Sequence, residues 1–288
     1  MIYICADDYG LCQSVSSGIQ QCIEAGAINK VSVFPNFDAV DLQKIRNGKD
    51  IRLSLHLNLV EGKCMASAEE IPLLADKAGN FENTFIGLLG RSLLYGKKFE
   101  AQVYKEIKAQ ILFWKSILPA NVPFCIDSHQ HTHMIPSVFR ALIKVLGDEK
   151  IKPEYVRIPA EPILPYIKTP SLYFTYSIVN IIKQWLLGSL WLFNKKRAKK
   201  NEIPTSYFFG ILFSGKMDEK RVKKILPEYI KTAEKAGGDI EVLFHPGYMD
   251  KKTAGFKDKN IVFEKFYMSE NRKTEFNSVM KMSERSVL

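Results

Sequence analysis

The residues best suited to catalysis follow short apolar segments of the sequence. Asp7 and Asp8 come directly after one such segment, His56 ends a second, and His245 ends a third. The other three histidines lie in the segment DSHQHTH at 127–133, where a fourth apolar segment ends. All five histidines and the acidic pair therefore stand at the ends of predicted strands.

The segment DSHQHTH carries the clearest chemical signal. If it is extended, Asp127, His129, His131 and His133 point to one face, because side chains alternate along a strand. Three imidazoles on one face are difficult to explain structurally, and histidine is the commonest metal ligand. A mixed set of histidines and carboxylates suits zinc, manganese or iron, and it suits magnesium less well.

The other positions also have ordinary structural explanations when each is taken alone. Asp7 and Asp8 are compatible with a turn or a helix cap, and His56 or His245 with a polar residue satisfied by a hydrogen bond. Taken together, they favour a metal site. Buried adjacent carboxylates repel each other, so we expect one of them to bind a cation and the other to handle a proton.

Such a set of residues predicts a particular chemistry. An aspartate and two histidines leave open coordination positions on a bound ion. A water molecule held there loses a proton more easily, with a pKa that falls toward about 7 in favourable zinc sites. A second carboxylate accepts that proton, and a histidine on the opposite side donates one to the leaving group, which contributes about 10²–10⁴-fold to the rate. The pattern therefore predicts metal-assisted hydrolysis of an amide or an ester.

Seven short apolar runs alternate with segments of helical periodicity. The runs cover residues 2–6, 30–34, 52–56, 123–127, 155–159, 207–213 and 240–245. The helices are predicted at 15–26, at 99–118, after Pro136 and at 218–235. This alternation is typical of βαβ units and predicts an α/β fold, an irregular (β/α) barrel with about seven parallel strands, with a doubly wound open sheet as the alternative. In either case the carboxyl ends of the strands meet at one mouth, where active sites lie.

A long apolar stretch at 171–193 does not fit the alternating pattern. Its length would allow a membrane span, but Asn180, Lys183 and Gln184 in its middle are costly inside a bilayer. We expect a long helical insertion around 171–200 that packs on the barrel or on a second subunit. An interfacial membrane helix followed by the basic residues at 194–200 is the alternative. The aromatic residues expected to make the packing contact are Trp185, Trp191 and Phe193.

The composition is that of an ordinary soluble globular protein. The 288 residues are 46% hydrophobic and 25% charged, and no linker divides them, so we expect a single domain over 1–288. Five scattered cysteines without a C-x-x-C pair predict reduced core thiols. The first residues lack the pattern of a signal peptide, which favours the cytoplasm. The net charge of +10 does not by itself predict binding to nucleic acid, because no interleaved aromatic and basic motif accompanies it.

Five motifs, in this order along the chain, resemble those of the YdjC/ChbG family of carbohydrate deacetylases. They are ADDYG, HLNLVEG, DSHQHTHMIP, VRIPAE and FHPGY, and they extend from residue 6 to residue 248. The segment NRKTEF at 271–276 is also similar to the C-terminal helix of that family. The resemblance implies a deformed barrel, often dimeric, that uses a divalent metal to remove an acetyl group from N-acetylated sugars such as chitin disaccharides.

The resemblance also implies roles for individual residues. It assigns one divalent metal ion to Asp8, His56 and His129, with magnesium as the ion that the family suggests and zinc or manganese as alternatives. It makes Asp7 the base and His245 the acid. The residues expected to bind substrate or to support these groups are Asp127, His131, His133 and Arg157.

The leading hypothesis is therefore a cytoplasmic, homodimeric, metal-dependent deacetylase of an N-acetylated sugar or oligosaccharide. One alternative is a deacetylase of a lipid-linked sugar at the membrane surface, which the stretch at 171–193 and the positive net charge motivate and which implies peripheral membrane contact. A non-catalytic carbohydrate-binding relative is another. Nucleic acid is not an expected partner.

Overall fold

The computed structural model describes residues 1–38, 40–46, 50–119, 122–249 and 264–284. The strands are β1 (Ile2–Tyr9), β2 (Lys30–Val33), β3 (Arg52–Leu57), β4 (Glu61–Lys63), β5 (Asn80–Glu82), β6 (Cys125–Ser128), β7 (Tyr155–Val156), β8 (Tyr207–Phe209) and β9 (Ile240–Phe244). Seven of them pair in parallel in the order β7-β6-β3-β2-β1-β9-β8, and β4 and β5 form a separate antiparallel pair. The prediction of seven parallel strands is confirmed.

Helices follow most of the strands and cover the sheet. They are α1 (Gln13–Glu24), α2 (Leu42–Arg46), α3 (Phe85–Ile117), α4 (Pro136–Asp148), α5 (Leu164–Ile167), α6 (Ile178–Lys200), α7 (Glu219–Ala236), α8 (Glu264–Tyr267) and α9 (Glu270–Glu284). The apolar faces predicted for α1, α3 and α4 are buried, with Ile19, Ile107 and Leu142 fully inaccessible to solvent. Helix α3 is kinked at Gly96, whose φ of 46° suits a glycine.

The sheet curls into an irregular barrel whose two edge strands, β7 and β8, approach each other. The backbone N–H of Val156 in β7 donates a hydrogen bond of 3.0 Å to the carbonyl oxygen of Pro204, which precedes β8. In an open doubly wound sheet the two edges are not joined by such a hydrogen bond. The predicted irregular barrel is therefore confirmed in preference to the open sheet.

Several element boundaries differ from the prediction. Strand β1 continues through both acids to Tyr9, whereas β7 and β8 are much shorter than the runs at 155–159 and 207–213. Strand β8 ends where Gly210 adopts a φ of 148°, a conformation that side chains other than glycine rarely adopt. Apolar composition alone does not reveal these ends, because the residues that follow each strand are also buried.

The long helix expected around 171–200 is α6, which begins after a 3₁₀ turn at Pro170–Thr175. Its Leu187 is buried and its Trp191 packs partly on the core, but Trp185 and Phe193 are 73% and 71% exposed. The prediction that these two pack on the barrel is wrong, because apolar residues surround α6 and only one face meets the barrel. Packing on a second subunit stays a prediction.

Among the helices that the structure describes, none combines the length and the apolar character that a membrane crossing requires.

Candidate metal centre and catalytic cavity

A bulge at the end of β1 brings two adjacent acids to the same site. Side chains alternate along a regular strand, so Asp7 and Asp8 would otherwise face opposite sides of the sheet. The register between β1 and β2 shifts between Ala6 and Tyr9, and Asp8 has a φ of 76°, in the left-handed region that aspartate tolerates better than most residues. Both carboxylates consequently line one cavity of about 420 Å³.

Asp8, His56 and His129 form a buried cluster that is able to hold a divalent metal ion. Asp8 Oδ1 lies 3.5 Å from His56 Nε2 and 3.3 Å from His129 Nδ1. One ligand atom from each of the three residues lies within 4.8 Å of the other two. His56 Nε2 has no hydrogen-bond partner in the described part of the chain. A buried, unpartnered nitrogen beside a carboxylate fits a divalent ion with two imidazoles and one carboxylate as ligands.

Two further carboxylates hold the imidazoles from the side that faces away from Asp8. Asp127 Oδ1 accepts a hydrogen bond of 2.6 Å from His56 Nδ1, and Glu61 Oε1 lies 3.1 Å from His129 Nε2. The Tyr267 hydroxyl lies 3.1 Å from the same nitrogen and donates to Glu61. Contacts of this kind orient metal-binding histidines and fix which ring nitrogen is free. They leave His56 Nε2 and His129 Nδ1 as the nitrogens that face Asp8.

The charges around the cluster favour a cation at its centre. Arg272 Nη2 donates to Asp8 Oδ2 at 2.7 Å, so that Oδ1 faces the imidazoles. Burial raises the pKa of Asp8, but the Arg272 guanidinium and the two imidazoles beside the carboxylate outweigh burial and hold that pKa well below its usual range. Burial lowers the pKa of His56, but the Asp7 charge and the Asp127 hydrogen bond outweigh it and raise this pKa to about 9. A positive charge at this point is therefore stabilised by the surrounding carboxylates.

Asp7 adjoins the cluster and is held by a bidentate ion pair. Arg157 donates from Nη1 to Asp7 Oδ2 at 2.6 Å and from Nη2 to Oδ1 at 2.8 Å. Burial raises the pKa of Asp7, but the positive charge of Arg157 and then that of His56 bring it below its usual value. The carboxylate is therefore ionised at neutral pH. Asp7, His56 and Asp127 are also close enough to hold an ion, but Arg157 already compensates both carboxylates.

A network of buried charges in the interior of the barrel surrounds Arg157, the partner of Asp7. Arg157 Nε and Lys30 Nζ each donate to Glu241 Oε1 at 2.8 Å, and Asp127 Oδ2 lies 3.2 Å from Arg157 and 3.5 Å from Lys30. These side chains are fully buried. Removing one partner of such a network leaves another charge uncompensated, which is costly. The network therefore fixes the positions of Asp7 and Asp127.

His245 reaches the same cavity from the end of β9. Its backbone N–H donates to Glu275 Oε2 at 2.6 Å, and its Nδ1 lies 3.3 Å from the same oxygen. Glu275 Oε1 also accepts a hydrogen bond of 2.8 Å from the backbone N–H of Gly215. Because Glu275 is fixed at both oxygens and faces Nδ1, His245 presents Nε2 as the nitrogen that meets a substrate.

The extended conformation predicted for DSHQHTH is wrong beyond Ser128. Residues His129–Met134 form a 3₁₀ turn in which Gln130 and His131 have φ values of 51° and 58°. Side chains do not alternate through such a turn. The three histidines of this segment consequently point in different directions, and only two of them line the cavity.

His131 and His133 have different surroundings. Burial and then the charge of Lys183 hold the pKa of His131 well below its usual range, so this cavity histidine is neutral. His133 contacts Ser128 Oγ at 2.5 Å through Nδ1 and the carbonyl oxygen of Arg157 at 2.7 Å through Nε2, and burial lowers its pKa to about 4.

Of the predicted site residues, the cavity is lined by Asp7, Asp8, His56, His129, His131 and His245. The residues that stand behind this lining are Asp127, His133 and Arg157.

The residues of the site that were not predicted include Glu61, Tyr267, Arg272 and Glu275. Glu61 belongs to the motif HLNLVEG, and Arg272 and Glu275 to NRKTEF, so the motifs contained the signal but gave these residues no role. Arg272 and its partner Asp8 are separated by 264 residues in the sequence. The contact forms because α9 packs against α1 and β9, which no local pattern indicates.

A model of the YdjC-like protein family matches residues 1–288. The chain belongs to the YdjC-like family. This membership confirms the resemblance drawn from the five motifs, since the match covers the segments in which all of them lie.

Relatives of this YdjC-like chain include proteins named carbohydrate deacetylase. The one from Danio rerio is 31% identical over 167 residues, which cover 56% of this chain and 50% of that protein. The one from Mus musculus is 29% identical over 263 residues, covering 88% and 80%. The one from Clostridium beijerinckii is 26% identical over 193 residues, covering 64% and 73%. The alignment thus spans about half the length of the Danio rerio protein.

A solved structure supports the fold of the YdjC-like chain. It is that of an Enterococcus faecalis V583 protein provisionally named for cellobiose-phosphate cleavage, with a TM-score of 0.58 and 18% sequence identity. The superposition covers 98% of this chain and 94% of that one. At this identity the likeness establishes a shared architecture, the curled α/β barrel.

Proposed function

We propose that this protein is a metal-dependent hydrolase that removes the acetyl group from an N-acetylated sugar or oligosaccharide. The observation that carries the proposal is the cluster of Asp8, His56 and His129 at the mouth of the barrel, with Asp7 and His245 in the same cavity. The names of the relatives, carbohydrate deacetylase, supply the substrate class.

Asp8, His56 and His129 would hold the ion. A divalent ion bound there supplies Lewis acidity, which polarises the acetyl carbonyl and makes an attacking water more acidic. The family resemblance suggests magnesium, whereas two imidazoles and one carboxylate suit zinc or manganese better. Asp127 and Glu61 support the proposed ligands by hydrogen bonding to the ring nitrogens on their far sides.

Asp7 is the proposed general base. It is ionised, it lines the cavity, and Arg157 fixes its orientation through both oxygens. The bidentate pair uses one lone pair on each oxygen, and Oδ1 also accepts a hydrogen bond of 3.4 Å from Cys5 Sγ, so Oδ2 keeps the free lone pair for the proton of the attacking water. A low pKa makes Asp7 a weak base, so its contribution depends on the water having become more acidic.

His245 is the proposed general acid. Amide hydrolysis breaks the bond between the acetyl carbon and the sugar nitrogen, and that nitrogen must gain a proton to leave. The Glu275 carboxylate lies 3.3 Å from Nδ1 and holds the ring, so Nε2 is the proposed site of proton donation. The neutral His131 on the cavity wall is the proposed hydrogen-bonding partner of the substrate, and Arg157 and His133 position the groups around it.

Acetate release tests the proposal directly. The protein is stripped of metal, reloaded separately with magnesium, manganese or zinc, and incubated with a panel of N-acetylated mono- and oligosaccharides. We expect acetate from at least one sugar, loss of release after stripping, and recovery with one of the ions. A protein that holds metal but binds the sugars without releasing acetate would be a carbohydrate-binding relative. The homodimer and the cytoplasmic location stay proposals, which sedimentation and cell fractionation test.

A further inference from the structure

The cavity that holds the proposed metal ligands has two chemically different parts. Its floor is polar and contains the acids and imidazoles described above. Its outer wall is apolar, and the residues that form it are Phe85, Ile86, Val179, Ile182, Leu186, Leu187 and Phe266. We call these seven residues the apolar wall.

The apolar wall is built mainly by one face of α6 and the first turn of α3. Val179, Ile182 and Leu186 recur at helical spacing and therefore lie on one side of α6. Val179 and Ile182 are 71% and 62% exposed although both line the cavity, and Ile86 on α3 is 64% exposed. The wall thus begins inside the catalytic cavity and continues out to solvent.

A second sugar unit does not suit this surface. Sugar hydroxyls removed from water need hydrogen-bond partners, and the five aliphatic and two phenylalanine side chains of the wall offer none. Lys183 is the cavity-lining residue of α6 that offers a donor, between Ile182 and Leu186. A hydrocarbon chain, by contrast, gains free energy from every apolar contact it makes with the wall.

The occupant of the wall must also enter together with the sugar. A second protein copy seated on Val179 and Ile182 would cover the mouth of the cavity and obstruct the path to Asp7 and Asp8. A hydrocarbon chain attached to the substrate would instead occupy the wall while the sugar enters along that path. The basic residues at 195–200 continue from the same helix, and positive charge is complementary to the anionic membrane surfaces in which lipids lie.

We propose that the substrate is an N-acetylated sugar joined to a hydrocarbon chain, and that the chain lies along the apolar wall while the sugar lies over the polar floor. This inference rests on the proposed deacetylase function and specifies its substrate class. The part of the wall between Val179 and Leu186 is about 10 Å long, at about 1.5 Å per helical residue.

The test measures acetate release from methyl, butyl, hexyl and octyl glycosides of N-acetylglucosamine, each below the concentration at which it forms micelles. KM should fall by up to about fourfold for each methylene that reaches the wall, since each buried methylene contributes on that scale. The fall should level off once the chain is longer than the wall. A KM that does not change from methyl to octyl would overturn the inference and leave the deacetylase function intact.

A pair of variants on α6 links the effect to the wall. Ile182→Gln should reduce the preference for octyl over methyl glycoside, measured as the ratio of kcat/KM values, by about tenfold or more. Leu192→Gln changes an equally apolar residue that is 74% exposed on the same helix but lies outside the cavity lining, and it should keep the wild-type ratio. Equal ratios in all three proteins would refute the role of Ile182.

A binding measurement separates the two proposals. Octyl glucoside has the chain but no acetamide, and calorimetry should detect its binding to the wild type and weaker binding to Ile182→Gln. Binding of octyl glucoside without acetate release from any glycoside would support the apolar wall and refute the deacetylase function. A wild-type dimer that Ile182→Gln converts to monomers in sedimentation would make the wall an interface between copies and overturn the inference.

Discussion

Asp127→Asn should weaken metal binding while leaving the barrel folded. Asp127 Oδ1 accepts the proton of His56 Nδ1 at 2.6 Å, whereas Oδ2 accepts from the Ser32 hydroxyl at 2.6 Å and lies near Lys30 and Arg157. Every neighbour of Oδ2 is a donor or a cation. The amide of an asparagine therefore places its oxygen at this position and its NH₂ group against His56.

This orientation changes the tautomer of His56. An NH₂ group beside Nδ1 requires that nitrogen to accept, so the ring proton moves to Nε2, the nitrogen that faces Asp8. A protonated Nε2 cannot bind an ion. Loss of a supporting partner of this kind typically costs 10–100-fold in metal affinity, and the forced tautomer points to the upper end, about 100-fold or about 2.7 kcal/mol.

The assay is calorimetric titration of metal-stripped protein with zinc and with manganese, supported by circular dichroism as a check on folding. Ser32→Ala is the matched control, because it removes a hydrogen bond from the same carboxylate but leaves the His56 contact in place. It should change metal affinity by less than about threefold, the size of a small hydrogen-bond effect. Wild-type affinity in folded Asp127→Asn would refute the idea that Asp127 sets the tautomer of His56.

Three further predictions concern the base, the acid and stability. Asp7→Asn should retain bound metal but lose about 10²-fold or more of its turnover, because the general base is gone; full activity with metal bound would place the base elsewhere. Glu275→Gln should lower kcat more than it raises KM, because His245 loses the carboxylate that holds its ring through the backbone N–H and Nδ1; a change in KM alone would contradict this role. His133 has a pKa of about 4 in the folded protein and a pKa near 6.5 in the unfolded chain, so between these pH values the unfolded chain binds one more proton than the folded protein. The free energy of unfolding therefore falls as the pH drops through this window, by about 1.4 kcal/mol per pH unit. Denaturant titrations should find a shallower fall in His133→Gln, and identical slopes would exclude His133 as a source of the acid sensitivity.

The sheet was predictable because its strands are short apolar runs separated by helical periodicity. Local composition, however, does not locate the bulge in β1 that turns Asp7 and Asp8 toward one cavity, since a bulge depends on the register with β2. The extended interpretation of 127–133 failed for a related reason. Gln130 and His131, two consecutive residues with positive φ, convert the strand into a turn, and the alternation of residue types does not indicate this change.

The histidines and acids of the centre were identifiable from residue type, but their supporting partners were not. Lys30 and Glu241 each lie in a strand whose other residues are all buried and mostly apolar, and such a charge within a buried run was the available signal. A buried charge at either position is unfavourable alone, but Lys30 Nζ donates a hydrogen bond of 2.8 Å to Glu241 Oε1, so the two charges compensate each other. Pairing across the barrel is a three-dimensional property that one sequence does not contain.

The contact between Arg272 and Asp8 also determines when the site becomes complete during synthesis. Asp8 in β1 is synthesised well before Arg272 in α9, because the two partners lie 264 positions apart along the chain. Until α9 docks, Asp8 has no guanidinium beside it and His245 has no Glu275, so both remain hydrated at the open mouth of the barrel. The proposed catalytic centre is therefore complete only once α9 has docked. A nascent or truncated chain that ends before α9 would carry every proposed metal ligand and still lack an assembled centre.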